Sequence, residues 1–236
     1  MLADIDGDGK ADLIVWRRQT GTWFWVTSGT GYRSDLAGSA QWGSADYGDR
    51  PLVGDIDGDG RADLAVWRAS TGTFYWLTSS SGYAASAAGS RQFGSGALGD
   101  VPFLGDVDGD GRADLIVYRS GTWFWLPSSS GYAYSAARWI STGGAGTPLV
   151  ADVDGDGKVD FGTWYGSTWS WARSTTAYSS TSMVTFQWGS LALGDIPLAA
   201  DMDGDRRADA VVWRSSTGTW YWLTVLGFAA QQHWGV

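Results

Sequence analysis

Cysteine is absent from the 236-residue sequence, which excludes disulfide frameworks, thiolate metal sites and cysteine nucleophiles. Glutamate is absent as well: all 25 acidic residues are aspartate. Glutamate keeps its rotamer freedom in helices whereas aspartate favours turns, caps and loops, so this acidic complement points away from a helical fold. Histidine occurs once, at His233, which removes His-rich zinc and iron sites and leaves any Ser-His-Asp triad dependent on one imidazole. Proline is sparse, at 5 residues. No apolar run reaches the length of a membrane span, and the N-terminus lacks the basic-then-apolar pattern of a signal peptide. The formal net charge of -9 argues against a phosphate-backbone partner, so no nucleic acid is expected.

What is present is glycine, at 35 residues, tryptophan, at 17, and a repeat. The stretch Asp4-Ile-Asp-Gly-Asp-Gly-Lys-Ala-Asp12 recurs as Asp55–Asp63, Asp106–Asp114, Asp152–Asp160 and Asp201–Asp209. Each copy runs into a short apolar strand such as Leu13-Ile-Val-Trp16, then a Gly-Thr or Ser-Thr step, then an aromatic strand such as Trp23-Phe-Trp25. A Trp-Gly or Phe-Gly step follows, as at Trp42-Gly43, and in three repeats Asp-x-Pro opens the next strand. Four strand signals per unit and five units predict an all-β five-bladed β-propeller with four antiparallel strands per blade. It forms a single domain over residues 1–236, with blades at about 1–50, 51–101, 102–147, 148–196 and 197–236. The chain starts inside a first strand and stops at Trp234-Gly235-Val236, the end of a fourth, so ring closure by apposed termini is expected. A Met set into mid-repeat suggests a module cut from a longer protein.

The repeated loop places carboxylates at positions 1, 3, 5 and 9, with glycine at 6 for the sharp turn. Hard oxygen donors without His or Cys favour Ca²⁺ over zinc, copper or iron. Position 12, where an EF-hand carries a bidentate acid, is Val15, Val66, Val117, Thr163 or Val212, and a strand follows instead of a helix. A calcium loop between the first and second strand of each blade is therefore expected. The metal residues are Asp4, Asp6, Asp8 and Asp12; Asp55, Asp57, Asp59 and Asp63; Asp106, Asp108, Asp110 and Asp114; Asp152, Asp154, Asp156 and Asp160; and Asp201, Asp203, Asp205 and Asp209. Five Ca²⁺ would set +10 against the net charge of -9. The fifth loop departs, with Arg206 at position 6, which puts its conformation or affinity in question.

The order Phe93-Gly94, Gly99-Asp100, Asp106-x-Asp-Gly-Asp-Gly, Asp114-Leu-Ile-Val resembles the FG-GAP or VCBS-type repeat of integrin α-subunit propellers and many secreted bacterial proteins. The resemblance covers essentially the whole chain. It implies a propeller whose calcium ions are structural and whose role lies in adhesion or ligand binding. The Gly121-Thr-Trp-Phe-Trp-Leu-Pro-Ser128 pattern is also similar to fungal propeller lectins that bind sugars between blades. Blade 4 is the loosest copy: Gly146 stands where the other blades have Asp49, Asp100 and Asp195, and Tyr165 replaces the Arg.

Catalysis has little to rest on. Outside the loops only Asp35, Asp46, Asp49, Asp100 and Asp195 remain, and the last three repeat in register in Gly-Asp-x-Pro turns, as structural residues do. His233 holds the place of Gln41, Gln92 and Gln187. The protein is expected to be no enzyme. Tryptophans packed between blades fill a small propeller, but the same residues can stack on sugar rings. Trp25, Trp76, Trp125, Trp171 and Trp222 are therefore the candidate ligand-binding set, in grooves between adjacent blades and away from the calcium loops. Arg17, Arg68, Arg119 and Arg214 are expected to cover aromatic faces. The leading reading is a non-catalytic, calcium-stabilised scaffold, adhesion or ligand-binding module of a larger secreted protein; the alternative is a multivalent carbohydrate-binding lectin. Partners would be glycans or an extracellular protein, and calcium-dependent loops suit an extracellular or cell-surface location.

Overall fold

Each second strand is an apolar run bounded by an Asp-Gly loop and a tight turn, the composition of a strand covered on both faces. In the computed structural model, which describes residues 1–233, three such strands are buried over five consecutive residues. The first sheet comprises β1 (Leu2–Ala3), β2 (Asp12–Arg17), β3 (Thr22–Val26) and β4 (Gly38–Gln41). The second comprises β5 (Asp49–Gly54), β6 (Asp63–Arg68), β7 (Thr73–Leu77) and β8 (Gly89–Gln92). The third is built from β9 (Val101–Gly105), β10 (Asp114–Arg119), β11 (Thr122–Leu126) and β12 (Arg138–Ser141). The fourth has β13 (Thr147–Ala151), β14 (Asp160–Tyr165), β15 (Thr168–Ala172) and β16 (Val184–Gln187). The fifth has β17 (Asp195–Ala200), β18 (Asp209–Arg214), β19 (Thr219–Leu223) and β20 (Ala229–His233). Strands pair in sequence order within each sheet, which makes the protein an all-β five-bladed propeller with four antiparallel strands per blade. First strands of blades 2 to 5 begin one or two residues ahead of Pro51, Pro102, Pro148 and Pro197. The expected closing step at Trp234-Gly235 and the apposed termini lie outside the described residues.

The chain divides into two compact units, residues 1–119 with 124–138 and residues 120–123 with 139–236. In the first unit, aromatic residues of one blade pack on aliphatic residues of the next: Trp23 meets Leu64 and Val66, and Trp67 and Phe74 meet Leu115 and Val117. In the second unit Trp164, Trp169 and Trp171 meet Ala210 and Val212 in the same way. Large flat rings against short aliphatic chains fill much of the space between neighbouring sheets.

The Trp-Gly and Phe-Gly steps follow the fourth strands and serve the core. The Trp42 carbonyl accepts from both Trp16 Nε1 and Trp23 Nε1, at 3.0 and 2.9 Å. The Trp188 carbonyl likewise accepts from Trp164 and Trp169, each at 3.0 Å. Buried indole N–H groups need such acceptors. The following glycine must be glycine: Gly43 has φ 82°, and a Cβ there would stand 2.6 Å from Val66 of the next blade.

Asp49, Asp100 and Asp195 are buried where β5, β9 and β17 begin. Each accepts a backbone N–H from Ser44, Ser95 or Ser190, at 2.9, 2.7 and 2.8 Å. Each also takes a two-pronged contact from the Arg ending the second strand of its blade. Arg68 meets Asp49 at 2.8 and 3.0 Å, and Arg214 meets Asp195 at 2.7 and 2.9 Å. The sequence expectation that these arginines cover aromatic faces is met at Phe24, Tyr75, Phe124 and Tyr221, with the ion pair as a second function. In blade 4 the pair is lost as a unit: Gly146 has φ 130°, and Tyr165 is exposed.

Removing one member of a buried pair strands the other charge. Arg119→Met should therefore lower the unfolding free energy by about 3 kcal/mol, because Asp100 stays buried. Arg17→Met, which removes only a contact over Phe24, should cost about 1 kcal/mol or less. Urea denaturation of the two variants beside the parent measures the difference.

Candidate metal centres in the acidic loops

The loops between first and second strands wind around their own first carboxylate. Asp4 Oδ1 accepts from Gly7 N at 2.7 Å and Asp8 N at 3.2 Å, and its Oδ2 accepts from Gly9 N at 2.7 Å. Asp55 repeats these bonds with Gly58, Asp59 and Gly60. Glycines at loop positions 4 and 6 take φ near +80°, a region where a side chain is strained. Arg206 takes that region too, with φ 68°, and its N–H still reaches Asp201 Oδ2 at 2.9 Å. The fifth loop thus keeps the conformation of the others with an unfavourable residue in it.

The carboxylate at position 9 differs from the rest. Asp12, Asp63, Asp114, Asp160 and Asp209 are all buried. One oxygen accepts the N–H of position 2, as Ile56 to Asp63 at 2.8 Å, and the other accepts an N–H beyond the third strand, as Ser79 at 2.7 Å. Burial pushes Asp63, Asp114 and Asp160 up to about 6 against the pull of these hydrogen bonds, and neighbouring carboxylates add to the rise. Asp209 rises for the same leading cause.

The four positions named from sequence are not drawn together equally. Carboxylate oxygens converge within 4.8 Å as triads: Asp4, Asp6 and Asp8; Asp55, Asp57 and Asp63; Asp106, Asp108 and Asp110; Asp152, Asp154 and Asp160; Asp201, Asp203 and Asp209. Positions 1 and 3 belong to every triad, while the third member is position 5 in blades 1 and 3 and position 9 in blades 2, 4 and 5. Two position-3 oxygens, Asp57 Oδ1 and Asp154 Oδ1, are buried and meet no hydrogen-bond donor. A carboxylate oxygen in that condition is expensive unless a cation or donor reaches it. The donor set is all hard oxygen and anionic, which fits a calcium-sized divalent ion.

Hydroxyls beside the loops were not singled out from sequence. Ser28, Ser79 and Ser174 donate to position-5 carboxylates at 2.6, 2.6 and 2.5 Å. Ser80 and Thr175 reach Asp57 and Asp154, and Ser129 reaches Asp108 at 2.5 Å. The signal was available, since a Ser follows the third strand by two residues in blades 1 to 4. Blade 5 has Val225 there and supplies only a backbone N–H, to Asp209 at 3.1 Å.

The loops also join blades. The Ala62 N–H donates to the Asp4 carbonyl at 2.6 Å, Ala113 to Asp55 at 2.5 Å, and Ala208 to Asp152 at 2.7 Å. Arg61, Arg112 and Arg207 lie against Gly7, Gly58 and Gly155 of the preceding loop, and Arg112 donates to the Asp57 carbonyl at 2.6 Å.

The five tryptophans of the candidate ligand set have unequal surroundings. Trp25, Trp76 and Trp222 are half-buried, whereas Trp125 and Trp171 are buried. Of the residues weighed for catalysis, Asp35 is held by Arg33 at 2.5 Å on the surface, and His233 Nδ1 lies 3.3 Å from Thr219 Oγ1.

No curated protein matches the sequence. Among solved structures, virginiamycin B lyase from Staphylococcus aureus superposes with a TM-score of 0.55 at 8% identity, covering 100% of this chain and 69% of the lyase. An Agrocybe aegerita lectin, described for recognition of non-reducing terminal N-acetylglucosamine, gives 0.55 at 18% identity over 90% of this chain and 60% of its own. At such identities the likeness is one of fold. The FG-GAP-like repeat matches at residues 4–66, 55–117 and 106–163, each match running from one acidic loop into the second strand of the next blade. The chain, matched over more than half its length by these in-register units, belongs to the FG-GAP-like repeat family.

Proposed function

We propose that the protein is a non-catalytic propeller stabilised by calcium in its acidic loops, serving as a scaffold, adhesion or ligand-binding module of a larger secreted protein. The observation that carries this reading is the buried, donorless carboxylate oxygen of Asp57 and Asp154 inside triads of acidic side chains. Up to five Ca²⁺ would be held by positions 1, 3, 5 and 9 and would supply charge neutralisation and rigidity. Because the loops also carry the bonds to the neighbouring blade, an ion there stiffens blade contacts as well. An extracellular or cell-surface setting, where calcium is plentiful, suits such loops. A carbohydrate-binding role is the second reading, favoured by the half-buried Trp25, Trp76 and Trp222 at equivalent positions and by the fold shared with the Agrocybe lectin. Glycan-array binding that survives chelation would select it.

Calcium that binds only the folded state raises stability by mass action, about 2.7 kcal/mol per site at 100 times the dissociation constant. Thermal unfolding should shift upward with millimolar CaCl₂ and back with EGTA. Calorimetric titration of chelated protein showing no heat and no shift would overturn the reading.

The sign of the pH dependence follows from the raised position-9 carboxyls. With folded values near 6 and unfolded values near 3.9, the folded chain holds more protons between those limits. In chelator, these groups should make stability fall as pH rises from about 4 to 6, and the calcium-induced gain should be larger at pH 7 than at pH 4.5.

Arg206→Gly should stabilise the fifth blade by about 1 kcal/mol, since glycine adopts the left-handed conformation without a Cβ penalty. Paired thermal melts in chelator isolate this backbone effect from any change in ion affinity.

A further inference from the structure

Blades 2 and 3 each close the groove to the blade before with a tyrosine. Tyr83 packs against Trp25 at a centroid distance of 5.4 Å, and Tyr132 packs edge-on against Trp76 at 5.8 Å. Their hydroxyls donate to the carbonyls at position 8 of their own loops, Ala62 at 3.0 Å and Ala113 at 2.8 Å. Tyr178 of blade 4 makes the same bond to Val159 at 3.1 Å. All three follow a turn residue of positive φ and themselves have φ near 58°, so the loop is wound to aim the ring inward.

Blade 5 has no such ring. From Trp25 to its partner Gly38 is 13 residues, and from Trp76 to Gly89 is 13, but from Trp222 to Ala230 is 8, so five residues are missing. The turn is shortened to Thr224–Phe228, and Phe228, in the place of the tyrosine, is 69% exposed. The groove between blades 4 and 5 loses a second occupant. Trp25 and Trp76 lie over Gly38 and Gly89 of the fourth strand, where a Cβ would stand 2.3 and 2.2 Å from the ring. In blade 4 the fourth strand has Val184 instead, and Trp171 lies over Gly162 of β14, 2.5 Å from where a Cβ would be. Trp171 is consequently only 3% exposed.

The result is a cavity of about 360 Å³ with Trp171, Phe186, Ala210 and Leu223 in its apolar lining and with Asp154, Arg173, Arg207 and Asp209 as its charged lining. Two polar groups there are relevant to a ligand. The Ala208 carbonyl, equivalent to the acceptors of Tyr83 and Tyr132, receives no hydrogen bond among the described residues. Arg173 Nε is buried with no acceptor, and Thr27, Thr78 and Pro127 hold its place in blades 1 to 3.

We propose that this cavity is a single binding site for a small phenolic acid, its hydroxyphenyl ring taking the volume that a tyrosine fills between blades 1 and 2 and between blades 2 and 3, and its carboxylate meeting Arg173. The phenol hydroxyl donates to the Ala208 carbonyl and the carboxylate accepts from Arg173 Nε. A volume of this size is that of a small-molecule pocket, apolar with few polar groups. Asp154 and Asp209, each a member of an acidic triad, also line the cavity, so the charge that meets the ligand's carboxylate depends on whether those triads hold an ion, and the titrations are run both in calcium and in chelator.

The probe is 4-hydroxyphenylacetate, followed by titration calorimetry and ligand-observed NMR. Binding is expected at a stoichiometry of one with a dissociation constant of about 0.1–1 mM, as for a ligand of few atoms. Phenylacetate should bind roughly ten-fold more weakly for want of the hydroxyl bond, and p-cresol more weakly still for want of the carboxylate. Arg173→Met should remove the preference for 4-hydroxyphenylacetate over p-cresol. Exchange of residues 224–229 for a copy of residues 78–88 restores an internal tyrosine and should abolish binding while the protein keeps its fold by circular dichroism. No binding of 4-hydroxyphenylacetate up to 10 mM, binding at several equivalent sites, or undiminished binding by the loop-exchanged protein would overturn the proposal. Should one variant fail to fold, the comparison of the three probes on the parent protein still decides the matter.

Discussion

Each blade is organised around an aspartate that has no access to water. The carboxylate at the ninth position of the acidic loop is buried in all five blades, and a buried anion must collect hydrogen bonds or lose its charge. Asp63 meets the demand by accepting from Ile56 on one side and from Ser79 on the other, which ties the start of its loop to the turn after the third strand. The loop so fixed presents its first carbonyl outward, and the next blade docks on it through the position-8 N–H. Local turn, blade and blade–blade contact thus descend from one side chain. The remaining carboxylates are held in the same few ångströms by that geometry, and their crowding is what the proposed calcium sites rest on.

Much of this architecture was legible in the residues. Five copies of one loop, each followed by an apolar and an aromatic strand, left a propeller as the architecture whose period fits. The glycine at loop position 6 was legible as a sharp-turn residue, whereas the demand on the glycine of the Trp-Gly step shows only in the fold, where Gly43 has φ 82° and faces Val66. What was illegible depended on partners distant in sequence. Asp100 and Arg119 each recur in register, but their pairing follows from the strand register that sets the residue ahead of β9 beside the end of β10. Position 9 reads as one more metal ligand, and only its burial and its two backbone donors reveal a structural anchor.

The five equivalent tryptophans show the same limit more sharply. Sequence places them in one class, and no local feature distinguishes Trp76 from Trp171. For Trp76 and Trp171 the difference in exposure goes with what stands across the strand pair: glycine at 89 takes the ring of Trp76, and glycine at 162 with valine at 184 takes that of Trp171. In these two blades the ring lies where a missing Cβ lets it lie. The clue was the position of two glycines relative to the strand register, which becomes meaningful once the register is known.

Repetition makes departures informative, because each blade is a control for the others. Loss of an inward-facing tyrosine would ordinarily leave a void whose lining forgoes its contacts, at a cost that grows with cavity size. In blade 5 the tyrosine goes together with five loop residues, and in blade 4 the facing tryptophan has moved onto Gly162, so the space is an open groove with ordered walls rather than an empty hole in the core. The walls keep the acceptor that the lost hydroxyl would have used, and they add an arginine that the closed grooves do not carry. A groove emptied by drift alone would have no reason to gain a buried donor. Arg173, set beside Asp154, Arg207 and Asp209, gives the recess a charged wall that a packing defect has no need of.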